Sequence, residues 1–222
     1  MGFLETSVVV YLRELYYPNG FGFPLINLQP RIAITELGRE AATILMLAGI
    51  GIVAGKNPTQ RFAWFIYCFG IWDIFYYVFL KVLLNWPESL LTWDILFLIP
   101  ILWAGPVIAP CIVSISMILL ALLLVHYNEK NNSLGVNKRE WALLISGSVI
   151  VIISFTIDCY SFVQSYTPLS TRRGAGGEAI MEAITHYVPT RFDWWIFIAG
   201  QALIFAAIYR FYIRAKRLIL AS

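Results

Sequence analysis

Phe62 to Leu84 reads FAWFIYCFGIWDIFYYVFLKVLL, with one acid, Asp73, one base, Lys81, and no proline. A helix over this stretch would be about 34 Å long, enough to cross a hydrocarbon core of about 30 Å. It is apolar around its whole circumference, where a helix on a soluble domain keeps a polar face. The stretch predicts a membrane span, and the chain an integral membrane protein.

Similar runs lie on either side. Ile32 to Ala54 is closed by Gly55, Lys56, Asn57 and Pro58, and Phe62 to Leu84 stops before Asn85-Trp86-Pro87. Trp141 to Val163 and Trp194 to Ile213 follow, the latter ahead of Arg214, Lys216 and Arg217. Asp94 to Tyr127 is different. Its 34 residues would make about 50 Å of helix, too long for one upright span and too short for two with a turn. It holds Pro100, Gly105, Pro106 and Pro110, and proline removes a backbone donor and crowds the preceding turn. The reading is a short interfacial or half-inserted segment from Asp94 to Trp103, a break at Ala104-Gly105-Pro106, and a span ending near His126.

Residues 1–30 read as an interfacial segment, with a short helix carrying Leu4, Val8, Leu12, Leu15 and Tyr16 before the breakers Pro18, Gly20, Gly22 and Pro24. The loop 166–192 has a glycine-rich start, Arg172 to Gly177, and predicts an amphipathic helix at 178–187 with Ile180, Met181, Ile184 and Tyr187 on one side. The expected fold is all-α. A single membrane domain over 1–222 forms a polytopic transmembrane bundle of about five spans (32–54, 62–84, 94–127, 141–163 and 194–213), the third broken by Pro and Gly, with short interfacial helices.

Composition agrees. The chain is 59% hydrophobic and 13% charged, against about 25% charged in soluble domains. The bases are not arrayed as a nucleic-acid surface, and the aromatic residues lie within apolar runs, so no nucleic-acid partner is expected. With five spans, loops 55–61 and 127–140 and the C-terminal tail share one face. That face holds nine bases (Lys56, Arg61, Lys130, Lys138, Arg139, Arg210, Arg214, Lys216 and Arg217) and two acids, Glu129 and Glu140. The other side holds seven bases and eleven acids. Basic loops stay cytoplasmic. The expectation is a multi-pass protein of the cytoplasmic (inner) membrane, N-terminus outside and C-terminus in the cytoplasm.

The acids are the candidates for chemistry, because a carboxylate at the bilayer centre costs about 2.5–3.5 kcal/mol on insertion scales. Asp73 lies 11 residues from Leu84, about 16 Å in. No Lys or Arg lies within a turn of it. Tyr76 and Tyr77 could hydrogen-bond to it, Arg39 is a plausible interhelical partner, and Gly70 would let another helix approach. It is either a proton or cation site or a structural hydrogen bond or ion pair. Glu36, Arg39 and Glu40 stand at i, i+3 and i+4, either as a partly buried site with its own counter-ion or as a helix start at the headgroups, where acids suit the dipole. Asp94 reads as a helix start at the outer interface. Asp158 shares a stripe with Ser154, Ser161 and Ser165, which interhelical hydrogen bonding explains.

Other chemistry is thinly supplied. Cys68, Cys111 and Cys159 all lie in apolar runs without a CxxC pair and read as small hydrophobes. His126 and His186 fall on opposite faces, so a bis-histidine haem or a His-rich metal site is not expected. A carboxylate set of Glu36, Glu40, Asp73 and Asp158 could in principle suit a hard cation. No metal, cofactor or catalytic residue is expected. Trp72-Asp73-Ile74 and Trp93-Asp94-Ile95 look like a repeat, but their settings differ and their flanks do not align.

Arg39-Glu40-Ala41-Ala42-Thr43, Trp72-Asp73-Ile74-Phe75-Tyr76-Tyr77 and Asn85-Trp86-Pro87-Glu88-Ser89 together resemble a group of bacterial polytopic membrane proteins to which no activity is attached, over roughly residues 20–120. The resemblance implies a bacterial origin and nothing on mechanism. The leading functional expectation is a non-enzymatic accessory or structural subunit of a larger cytoplasmic-membrane complex, its partners being the bilayer and other membrane subunits. The alternatives are a proton- or cation-linked small-solute transporter with Asp73 as ion site, and a membrane enzyme using the outer-leaflet carboxylates.

Overall fold

A computed structural model describes all residues except 19, 27–28, 99–100, 167–181 and 221–222. Pro100, the glycine-rich start of the 166–192 loop, Ile180 and Met181 lie outside the described residues. The elements are α1 (Gly2–Tyr16), α2 (Pro30–Ala54), α3 (Pro58–Leu84), β1 (Trp93–Phe97), β2 (Trp103–Pro106), α4 (Ile108–Lys130), α5 (Lys138–Tyr166) and a last helix, here α6 (Trp194–Leu220). The five helices from α2 to α6 are long and apolar enough to cross a membrane. The protein is an integral membrane helix bundle.

Local sequence sets the helix ends. Pro30 and Pro58 each open a helix, where a missing N–H costs nothing. The Asn57 side chain accepts from the Gln60 N–H at 3.0 Å. Asn137 and Glu140 cap α5 reciprocally: the Asn137 N–H donates to Glu140 at 2.8 Å, and the Glu140 N–H donates back to the Asn137 side chain at 2.9 Å. Asn85 ends α3 in the left-handed region, φ 51°.

The third apolar run resolves into a β-hairpin and a helix. β1 pairs antiparallel with β2, setting Trp93 opposite Pro106, Asp94 opposite Gly105 and Ile95 opposite Ala104, with an irregularity before Phe97 meets Trp103. This refines the expected segment: part of its backbone is paired between two strands rather than wound as a helix. Gly105 and Pro106 belong to β2, and a Cβ on Gly105 would stand 2.7 Å from the Phe155 ring. Pro110 breaks nothing. It sits in the first turn of α4, where a backbone donor has no intrahelical partner to lose.

The core lies where α3, α4, α5 and α6 meet, around Leu124, Phe155, Phe197 and Phe211. Small residues bring the backbones together. Gly147 of α5 and Gly200 of α6 face each other, and a Cβ on either would be 2.8 Å from the other's carbonyl oxygen. A Cβ on Gly70 of α3 would be 2.8 Å from the Ser114 carbonyl of α4. At the basic end, Glu140 is 2% exposed. Its carboxylate accepts two hydrogen bonds from Arg214 of α6, at 2.9 and 2.7 Å, tying α5 to α6.

α2 packs on α3, most tightly at the basic end, where a Cβ on Gly51 would be 2.6 Å from the Arg61 carbonyl. α1 packs along α3 rather than standing apart. Gly2 abuts Phe75 and the Trp72 carbonyl, the Phe3 ring meets Phe79 edge-on, and the Arg13 guanidinium lies 3.8 Å from the centre of the Trp86 ring. α1 therefore runs in the direction of α3 beside its acidic-end half.

Candidate functional site

Between α1, α2, α3 and the hairpin lies a partly enclosed cavity of about 190 Å³. It reaches from the 17–26 loop at the acidic end down to Asp73. Its lining includes Glu5 and Arg13 of α1, Glu36, Arg39 and Glu40 of α2, Trp72, Asp73, Tyr76 and Tyr77 of α3, and Asp94 of β1. Helical spacing explains the α2 set: residues at i, i+3 and i+4 share a face, and here that face looks toward α3.

The polar contacts cross between elements. The Arg39 Nε donates to Glu36 at 2.8 Å, and Arg39 also pairs with Glu5, joining α2 to α1. Both oxygens of Glu40 accept from the Leu98 N–H, each at 3.2 Å, holding the hairpin tip against α2. The Asp73 Oδ2 accepts from the Ser114 hydroxyl of α4 at 2.7 Å. Asp94 lies 3.5 Å from Arg13, whose guanidinium also lies 4.4 Å from the Phe21 ring centre. The Asp94 Oδ2 and the Trp72 indole N–H have no hydrogen-bond partner among the described residues.

Five carboxylates thus share the lining with two guanidiniums. Arg39 is engaged by Glu5 and Glu36, and Arg13 by Asp94. Neither Glu40 nor Asp73 belongs to an ion pair among the described residues. Burial pushes the Glu5 carboxyl up, against the opposing pull of Arg39. It likewise pushes the Asp94 carboxyl up to about 6, with Arg13 opposing it.

Six of the seven sequence candidates line this cavity: Asp73, Arg39, Glu36, Glu40, Tyr76 and Tyr77. The expected partners of Asp73 are corrected. Arg39 bonds acids on α1 and α2, and the hydroxyl on Asp73 is Ser114, not a tyrosine. Glu36 and Glu40 are 8% and 9% exposed, deeper than a helix start at the headgroups requires. Asp94 opens no helix and is a strand residue, 2% exposed. Asp158 lies elsewhere. Its carboxylate accepts from the Tyr187 hydroxyl at 2.7 Å and from Thr190 at 3.3 Å. Ser154 and Ser165 bond backbone carbonyls of their own helix, and the hydrogen bonds to Asp158 come from the 187–190 segment. The carboxylate metal set is therefore not assembled, and no group of three or more His, Cys, Asp or Glu among the described residues converges to hold a metal.

Sequence reasoning missed Glu5, Arg13 and Ser114. Glu5 and Arg13 sit on a helix read as interfacial, and Ser114 is one hydroxyl in an apolar run. The Trp-Asp-Ile pair is no structural repeat, one copy being helix and the other strand, yet both acids line the cavity. No protein-family model, curated protein or solved structure matches the chain.

Proposed function

We propose that this integral membrane protein is a proton- or cation-linked carrier of a small solute in a bacterial cytoplasmic membrane, with Asp73 as its ion site. The observation that carries the reading is the setting of Asp73. It lies deep in a span and on a cavity, held by a neutral hydroxyl and by no cation among the described residues. A structural acid in hydrocarbon is ordinarily paired; one that faces a cavity unpaired is free to exchange a proton or bind a cation. The charge bias supports an orientation with the acidic end outside and the basic loops in the cytoplasm; in that orientation the cavity would face outward, above the Gly51–Arg61 and Gly70–Ser114 contacts.

The test is solute-driven proton movement. Vesicles containing the purified protein and an internal pH dye are offered amines, amino acids, carboxylates and sugars in turn. One class is expected to drive a proton flux that Asp73→Asn abolishes while leaving the unfolding transition intact. No flux of protons, nor of Na+ or K+ read in the same vesicles with a dye for that ion, with any class, or an undiminished flux in the variant, sinks the reading.

A subunit role has one observation in its favour. α2 exposes Ile34, Leu45 and Val53 at 68%, 73% and 89%, and Gly38 and Gly49 have no atom within 4 Å of a built Cβ. A partner helix could use that face. Migration only as a lone chain on a native gel of gently solubilised membranes counts against it.

A further inference from the structure

The class of solute can be argued from the same cavity, and the inference rests on reading that cavity as a solute site. Asp94 is 2% exposed, and its Oδ2 is unpartnered among the described residues. A buried acceptor without a donor is unfavourable, and it adds to the negative potential of the lining. Both guanidiniums of the lining are already engaged, which leaves Glu40 and Asp73 without an ion pair among the described residues. Trp72, Tyr76 and Tyr77 line the same space. Carboxylates attract a cation by charge, and aromatic faces attract it through the ring quadrupole, best where water is excluded. A bare divalent ion is less suited, since no three ligating side chains converge among the described residues. An anion would meet an excess of carboxylate. The volume, about 190 Å³, is below the roughly 300 Å³ at which drug-sized pockets begin.

We propose that the cavity binds one small organic ammonium ion, its charge offset by the lining carboxylates, Glu40 and Asp73 among them, and its apolar body against the rings.

The probe is benzyltrimethylammonium, which keeps its charge at every pH, titrated calorimetrically into the protein in lipid nanodiscs. 2-Phenylethanol and phenylacetate serve as neutral and anionic comparators. Saturable binding of one ammonium per chain is expected, with both comparators at least tenfold weaker. Glu40→Gln and Asp73→Asn should each weaken the ammonium at least tenfold. The comparator series needs no variant, so a folding defect in either substitution leaves the test intact. The proposal is overturned if wild type shows no saturable ammonium binding, if either comparator binds as tightly, or if two folded variants bind like wild type. Ammonium binding without Asp73-dependent flux of protons, Na+ or K+ overturns the carrier reading and leaves this site standing. Flux driven by another solute class, with no ammonium binding, does the reverse.

Discussion

Gly70→Ala sets two physical effects against each other at the joint beside Asp73. Helix propensity alone favours alanine by about 0.8–1.0 kcal/mol. Packing opposes it. The new methyl would stand 2.8 Å from the Ser114 carbonyl oxygen and 3.0 Å from Ile118 Cγ1, where ordinary contact begins at 3.4 Å. Ile118 can rotate away. The carbonyl is backbone and cannot, so α3 and α4 must part by about 0.6 Å, the shortfall at the oxygen. Overpacking of this kind costs about 1–3 kcal/mol, and a backbone obstacle puts the cost in the upper half of that range. The net expectation is a loss of about 1–2 kcal/mol once propensity is subtracted. The same displacement stretches the 2.7 Å bond from Ser114 to Asp73, because the obstructed carbonyl and the donating hydroxyl belong to one residue. Equilibrium unfolding in mixed micelles, followed by near-ultraviolet circular dichroism, reads the sign. Repeating the substitution in a Ser114→Ala background reads the coupling, and part of the loss should vanish there. A Gly70→Ala protein as stable as wild type, or more so, would refute the close approach and with it the argument that α4 holds Asp73 in place.

Three further outcomes are expected. Arg214→Met leaves the Glu140 carboxylate buried without its cation and should cost about 3 kcal/mol, the low end for a broken buried pair because Arg214 is partly exposed; chemical denaturation measures it, and a loss under 1 kcal/mol would show the pair to be incidental. Gly147→Val drives a branched side chain into the Gly200 carbonyl at 2.8 Å and should separate α5 from α6, seen as a loss of thermal stability larger than that of an exposed control such as Val149→Ala. Asp94 carries a pH signature: its folded carboxyl is raised to about 6 from 3.8, so the folded state binds the proton more tightly than the unfolded chain and stability falls as pH rises through that window. Asp94→Asn should flatten that part of the stability profile, and identical profiles for the two proteins would remove Asp94 as its source.

The spans were legible because each is an uninterrupted apolar run of the length a bilayer dictates, and the caps at Asn57, Asn85 and Asn137 follow residue chemistry. The hairpin was not legible as strands. An apolar run such as Trp93 to Phe97 looks the same for a buried strand and a buried helix, and the prolines near it announce only that something ends. The acids of α2 were legible as a face, but their depth was not, since i, i+3 and i+4 spacing fixes which residues stand together and not what they face. Asp73 was found by its position, whereas its partner was misassigned. Charge complementarity points to Arg39, while the geometry puts a serine from a helix 41 residues on within hydrogen-bond reach, a link that no local pattern carries. Glu5 and Arg13 were hidden for a different reason: a short charged helix suits a membrane surface as well as it suits packing along α3.

The acids and the cavity are not independent features. α2 presents glycine to α3 at the basic end, where Gly51 sits against the Arg61 backbone. At the acidic end the facing side chains are Glu36, Arg39 and Glu40 from α2 and Trp72, Asp73 and Tyr76 from α3. Two helices joined by a short loop and pinned at glycine must diverge where large side chains face each other. α1 and Leu98, just past β1, enter the wedge that results, through the Glu5–Arg39 and Leu98–Glu40 contacts, and a cavity of about 190 Å³ remains. The size gradient along one face of α2 thus creates the opening and supplies its charge in the same residues. Asp73 lies where that wedge narrows, so its depth in the span follows from how far the two helices stay apart.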